Sequence, residues 1–135
     1  MTVTENKTTE EELQYIVTFD SAGKPMKGDL SYILHLPSGI PARTFWSVIV
    51  YDSHTRLIIQ NDQKWPSVFS NCKKLVTNVD GSVDIRFGPQ PPNGTENNWI
   101  KTIPGKLWYL ILRLYSPTEA WYNKTWKPCE IEQVQ

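Results

Sequence analysis

The sequence predicts a single all-β domain, a two-sheet sandwich of about eight short strands. Three observations carry this. Apolar and polar residues alternate with a period of two in several short segments, as half-buried strands require. Clusters of Gly, Pro, Asn and Asp separate those segments, which is turn chemistry. Ten prolines leave no room for long helices, because proline removes a backbone donor and clashes inside a helix. The 135 residues suffice for one domain with its own core.

Residues 1–12 are polar, carry Glu10-Glu11-Glu12, and read as a flexible or weakly helical lead-in to a domain over 13–135. The first strand runs from Leu13 to Phe19, with Leu13, Tyr15, Val17 and Phe19 on one face. Asp20 to Pro25 is a turn. A second strand spans Leu30 to Leu36, with Tyr32, Leu34 and Leu36 sharing a face, and Pro37 to Pro41 ends it. The third, Phe45 to Asp52, is apolar on both faces, which marks a central strand or one covered by another layer. The turn Asp52-Ser53-His54-Thr55 leads into Arg56 to Gln60, giving a hairpin. Gln63 to Ser70 is less regular. Asp80-Gly81, between Leu75–Val79 and Ser82–Phe87, is a two-residue hairpin signal. Gly88 to Asn98 is a loop. Lys106 to Tyr115 is the most hydrophobic strand and is expected to be central. A helical turn is expected around Thr118 to Trp121, and a last strand over Cys129 to Val134.

The bulk numbers exclude several classes. Fourteen basic and fourteen acidic residues balance to zero, whereas nucleic-acid binding calls for a basic face. No stretch approaches the roughly 20 apolar residues of a membrane helix. The first residues have no apolar centre and so are no signal peptide, which makes the cytoplasm the default expectation. The sequons at Asn6, Asn93 and Asn123 are then read as unused. Cys72 and Cys129 have no C-x-x-C spacing and are read as two free, partly buried thiols, with one disulfide as the alternative. Two histidines, His35 and His54, make no metal-ligand cluster, and neither a metal nor another cofactor is expected.

Five blocks then stand out in order. They are Phe45-Trp46-Ser47-Val48 with Tyr51-Asp52, Asn78 to Val83, Asn98-Trp99-Ile100, Arg113-Leu114-Tyr115-Ser116-Pro117, and Trp126-Lys127-Pro128. Together they resemble the carboxy-terminal domain of unknown function 1214, over about Tyr15 to Val134. The resemblance implies a jelly-roll-like β-sandwich, in a family often found behind a partner domain numbered 1254, and it implies no activity. The chain departs from the family pattern after Asn98-Trp99, where Ile100 to Pro104 replaces a Leu-Pro-x-Pro run.

The residues that could carry chemistry each have a structural alternative. Arg113 interrupts an apolar strand, so its guanidinium clamps an anion, pairs with Asp52, Asp80 or Asp84, or faces water at a strand end. Trp46, Trp99, Trp108 and Trp126, with Tyr51, Tyr109 and Tyr115, either line a groove for sugar rings or fill the core. Core filling suits Trp46 and Trp108, and exposure suits Trp65, Trp121 and Trp126. Asn98 orients a ligand or bonds loop backbone. His35 is a general base or a satisfied strand histidine, with no Ser, Cys or acid beside it in sequence. Asp52 and Asp84 are the acids a glycosidase reading would need. No G-x-S-x-G elbow, phosphate loop, dinucleotide fingerprint or H-E-x-x-H motif is present. The expectation is a non-enzymatic module, monomeric or homodimeric, binding a carbohydrate or protein partner through Arg113, Trp99, Asn98, His35 and Tyr51. A hydrolase with a site near Arg113, His35 and Asn98, and a self-assembling structural unit, are the alternatives.

Overall fold

The computed structural model describes residues 12–59, 67–71, 75–92 and 97–134, and the backbone of residues 3–9. In chain order the elements are β1 (Val3–Thr9), β2 (Glu12–Val17), β3 (Met26–Lys27), β4 (Ser31–Leu36), β5 (Ala42–Asp52), β6 (Ser67–Phe69), β7 (Val83–Gly88), β8 (Trp99–Lys101), β9 (Leu107–Pro117), α1 (Glu119–Tyr122) and β10 (Glu132–Val134). They form an all-β sandwich of two sheets. The larger has the order β1-β2-β9-β5-β6, with β3 added at the start of β9. The smaller has the order β10-β4-β7-β8. All pairings are antiparallel except β7 with β8.

The period of two decides which side chains meet between the sheets. Leu13 and Val17 of β2, Trp46, Val48 and Val50 of β5, and Trp108, Leu110, Leu112 and Leu114 of β9 point inward from the large sheet. Tyr32, Leu34 and Leu36 of β4 and Val83, Ile85 and Phe87 of β7 meet them from the small one. Burying each such side chain contributes about 1.5–3 kcal/mol, so this layer dominates folding. Trp108 sits at its centre, edge-on to Tyr32 at 5.5 Å and stacked on Phe87 at 4.9 Å. Its indole N–H has no acceptor among the described residues. That orphan donor costs about 1–3 kcal/mol, which ring packing must offset.

The expected strands at Leu13, Leu30, Phe45, Ser82 and Lys106 are β2, β4, β5, β7 and β9, and the expected helical turn is α1. Several expectations are corrected. Residues 3–9 are not lead-in but β1, antiparallel to β2. The expected last strand over Cys129 to Val134 is β10, whereas β3 and β8 were not expected, because they are too short to show a period. Arg56 to Ile59 makes a single bridge, Ile58 to Tyr51, rather than a strand. Asp80-Gly81 does turn the chain, with Gly81 N–H on Asn78 O at 2.9 Å and Asn78 N–H on Ser82 O at 2.8 Å. Leu75 to Val79 nonetheless pairs in no ladder. Trp121 and Trp126, expected to be exposed, are buried and lie 6.2 Å apart at the end of the core. The Trp126 indole N–H donates to Pro37 O at 2.9 Å, which satisfies its polar end. Cys129 is a free, exposed thiol rather than a partly buried one. Cys72, Trp65 and Asn93 lie outside the described residues.

One glycine is required by close approach. Gly28 donates to Lys106 O at 2.8 Å and accepts from the Thr102 hydroxyl at 2.8 Å. A Cβ there would stand 1.8 Å from Ile103 O, an impossible contact with backbone. Gly23, by contrast, has a left-handed φ of 78° and open space around it. Gly28→Ala is therefore expected to cost about 3 kcal/mol, and Gly23→Ala about 1–2 kcal/mol. Urea unfolding of the two variants checks this, and the reverse ranking would contradict the packing described.

Candidate functional site

Strands β2, β9 and β5 expose their second face on the outside of the large sheet, and register lines the side chains up in rows. One row is Glu12, Tyr115 and Phe45, and the next is Gln14, Arg113 and Ser47. Below them come Ile16, Ile111 and Ile49, and then Tyr109, Tyr51 and Ile58. Tyr51, Tyr109 and Ile111 form a second apolar cluster, with Ile16 and Ile49 packed against it. The rings of Tyr51 and Tyr109 stack at 5.4 Å, and those of Phe45 and Tyr115 at 4.2 Å. The Arg56 guanidinium lies over Tyr109, 5.6 Å from its centroid. The face is thus polar at one end and apolar at the other.

Arg113 joins the two ends. Its Nη2 donates to the Tyr51 hydroxyl at 2.9 Å, and its Nη1 reaches the Glu12 carboxylate at 3.4 Å. The Tyr115 hydroxyl also bonds the guanidinium, and Nε is buried with no acceptor among the described residues. The expected pairing with Asp52, Asp80 or Asp84 does not occur, because Asp80 and Asp84 belong to the other sheet's side and Asp52 pairs with Lys106 at 3.3 Å. Burial pushes the Tyr115 hydroxyl to a higher pKa, and its hydrogen bond to Glu12 pushes it further.

A second polar cluster lies on the outer face of the small sheet. His35 stands opposite Asp84 in the β4–β7 register, and its Nδ1 lies 2.5 Å from Asp84 Oδ1. A carboxylate only accepts, so Nδ1 carries the ring proton. Asp84 Oδ2 accepts from the Asn78 amide at 3.1 Å. That amide also donates to Ser82 Oγ at 3.0 Å, and the Ser82 hydroxyl donates to Asp80. Burial raises the Asp84 pKa, but the bonds from His35 and Asn78, with Arg86 nearby, outweigh it and hold the carboxyl below its usual value. Asn98, at a left-handed φ of 54°, clamps Val76 by two bonds of 3.0 and 2.7 Å and donates to Asp84 O at 3.1 Å. Trp99 is buried, with its indole N–H on Gly88 O at 3.1 Å.

The fold therefore brings Arg113 to Tyr51 on one outer face. It brings His35, Asn98 and Trp99 to the other sheet, so Arg113 shares no cleft with His35 and Asn98. Asn98 serves loop backbone. Sequence reasoning missed Glu12 and Tyr115 beside Arg113, and Asp84 and Asn78 beside His35. Only strand register, absent from local sequence, reveals those neighbours. No hydroxyl or thiol bonds the His35 ring among the described residues, and no cluster of three metal-ligating side chains occurs among them. Between the sheets, Val17, Leu34, Leu110 and Leu112 line a cleft under Cys129 with about 20 Å³ of free space. That is room for one water rather than a ligand. No helix among the described residues is long and apolar enough to cross a membrane.

Residues 11–119 match a family model described as a protein of unknown function, DUF1214. No curated protein matches the chain. Among solved structures, it resembles the VPA0106 protein of Vibrio parahaemolyticus at 25% identity and a TM-score of 0.78. That match covers 93% of this chain and 31% of the other. It also resembles an uncharacterized protein of Burkholderia cenocepacia at 18% identity and a TM-score of 0.56, covering 96% of this chain and 31% of that one. The chain spans about a third of the length of each of these relatives.

The Asp84 geometry has a pH consequence. A carboxyl with a depressed folded pKa contributes stability above its unfolded pKa, and loses it as pH falls through the folded value. Asp84→Asn is expected to remove part of the stability the protein gains on going from about pH 3 to pH 5. Urea midpoints across that range read it, and parallel curves for both proteins would refute the pairing.

Proposed function

Because the chain belongs to the DUF1214 family, whose function is unknown, its own surfaces must carry the reading, and we propose that it is a non-enzymatic module binding a protein partner on the outer face of its large sheet. One observation carries the proposal: at one end that sheet is apolar on both faces although only one packs on the other sheet. Strands apolar on both sides belong under a further layer. At the apolar end the surface is still open, with Leu57 65% exposed, Leu107 45% and Ile58 42%. These residues adjoin because Ser53 N–H bonds Leu107 O at 3.0 Å, Asp52 N–H bonds Leu57 O at 2.8 Å, and Ile58 bridges Tyr51. Exposed apolar residues brought together in this way are a feature of protein contacts. The two longer relatives, two thirds of whose chains lie outside the matched region, point to a neighbouring folded domain as one form of partner.

The test is affinity capture from the source organism, followed by measurement with the purified partner. A protein retained by the wild-type chain is expected to bind roughly tenfold more weakly or worse to Leu107→Lys. Val79→Lys, in the exposed loop before β7, is expected to bind it as the wild type does. Binding to a glycan array with no protein retained, or turnover of ester or glycoside substrates, would overturn the proposal.

A further inference from the structure

We propose that Arg56 anchors the docked partner and that the partner brings a carboxylate to it. This rests on the reading of the outer sheet face as a docking surface and names the chemistry of one contact at its apolar end. Arg56 closes the turn after β5, with its N–H on Asp52 O at 2.8 Å, and is followed by the exposed Leu57 and Ile58. Its guanidinium is held over the Tyr109 ring, 5.6 Å from the centroid. Tyr109 stacks on Tyr51 and shares the outer face of β9 with Leu107, two residues before it. The charge thus lies within the open apolar end of the face. Among the described residues, no hydrogen bond or ion pair engages the Arg56 side chain.

The carboxylates nearby are already in use. Asp52 accepts from the His54 and Thr55 N–H groups and pairs with Lys106 at 3.3 Å. Asp29 accepts from Gly105 N–H at 2.7 Å. Lys27 stands opposite Leu107 in the β3–β9 register and adds a further positive charge. Among these groups, Arg56, Lys106 and Lys27 outnumber Asp52 and Asp29, so this end of the face is positive. While the face is open, water meets the five N–H donors of the guanidinium. A partner covering Leu57, Ile58 and Leu107 strips that water, and a buried charge without a counter-charge is expensive. A purely apolar partner is therefore disfavoured, and one with a carboxylate among its apolar side chains is favoured. A carboxylate fits the guanidinium fork through two parallel bonds, and the ring contact limits the fork's freedom before the partner arrives. Arg56 also has a left-handed φ of 65°, where glycine or asparagine sits with less strain. Arginine is not the residue this backbone favours, so its side chain is what distinguishes it there.

The experiment uses the whole chain, ¹⁵N-labelled, and follows the backbone N–H resonances of Arg56, Leu57 and Leu107 by NMR. The probe is 4-phenylbutyrate, with 4-phenylbutyramide as its uncharged twin. The acid is expected to shift these resonances saturably, and the carboxamide to bind about tenfold more weakly. Arg56→Lys keeps the charge but not the fork and is expected to weaken the acid about threefold. Arg56→Asn removes the charge, suits the left-handed backbone, and is expected to weaken it about tenfold. Lys127→Gln, which removes an exposed cation beside Trp126, is expected to leave the titration unchanged. Dispersed spectra establish that each variant is folded. No shift with the acid, equal binding of acid and carboxamide, or equal affinities in wild type and Arg56→Asn would overturn the anchor. A captured protein that binds Arg56→Asn as tightly as the wild type would also overturn it and leave the docking surface standing. A titration that depends on Arg56, with no protein retained, would overturn the docking surface and leave the carboxylate site standing, so the two failures are distinguishable.

Discussion

Strand β9 is bonded along both edges, to β2 and β5, and is apolar on its inner face and over part of its outer one. Every other feature answers to those two demands. A strand paired along both edges and largely apolar on both faces must be central, so β2 and β5 flank it and the sheet grows outward from there. Its inner residues, Trp108 to Leu114, set where β4 and β7 must pack. Its outer residues, Tyr109, Ile111, Arg113 and Tyr115, set what the molecule shows to solvent. The edges are then handled conservatively. β6, β8 and β10 have three residues each, and β1 is rich in polar residues. Short and charged edges discourage strand addition. Association is thereby steered to faces rather than edges.

The long strands were legible in the sequence because a period of two is a local signal. Tyr32, Leu34 and Leu36 share a face by counting alone, and so do Leu13, Tyr15 and Val17. Short strands carry no period, and β8 pairs in parallel with β7 through a connection that no turn motif announces. Trp121 and Trp126 show a different limit. Prolines and polar neighbours suggest exposure, yet the chain folds back over the end of the sandwich and buries both rings. Tertiary wrapping decides their burial, and a one-dimensional pattern does not contain it.

The candidate site was legible in its parts and not in its assembly. Arg113 announces itself as a charge in an apolar strand, and Tyr51 as an aromatic in a two-faced one. Their contact depends on side chains lying along the sheet across the Ile111 row. Glu12 and Tyr115 join through antiparallel register across sequence distances that no local reading spans. The same holds for His35, whose acid partner Asp84 comes from a strand far along the chain. Two polar clusters that look like one site in sequence end on opposite sides of the molecule, with the core between them.

All five described tryptophans are buried: Trp46, Trp99, Trp108, Trp121 and Trp126. The outer face of the large sheet is instead lined by tyrosines and a phenylalanine. These five indoles therefore report the integrity of the sandwich, and an encounter at that face changes little around them. Its optical trace falls on the phenol rings of Tyr51, Tyr109 and Tyr115, in the weaker near-ultraviolet bands that indole absorption overlaps.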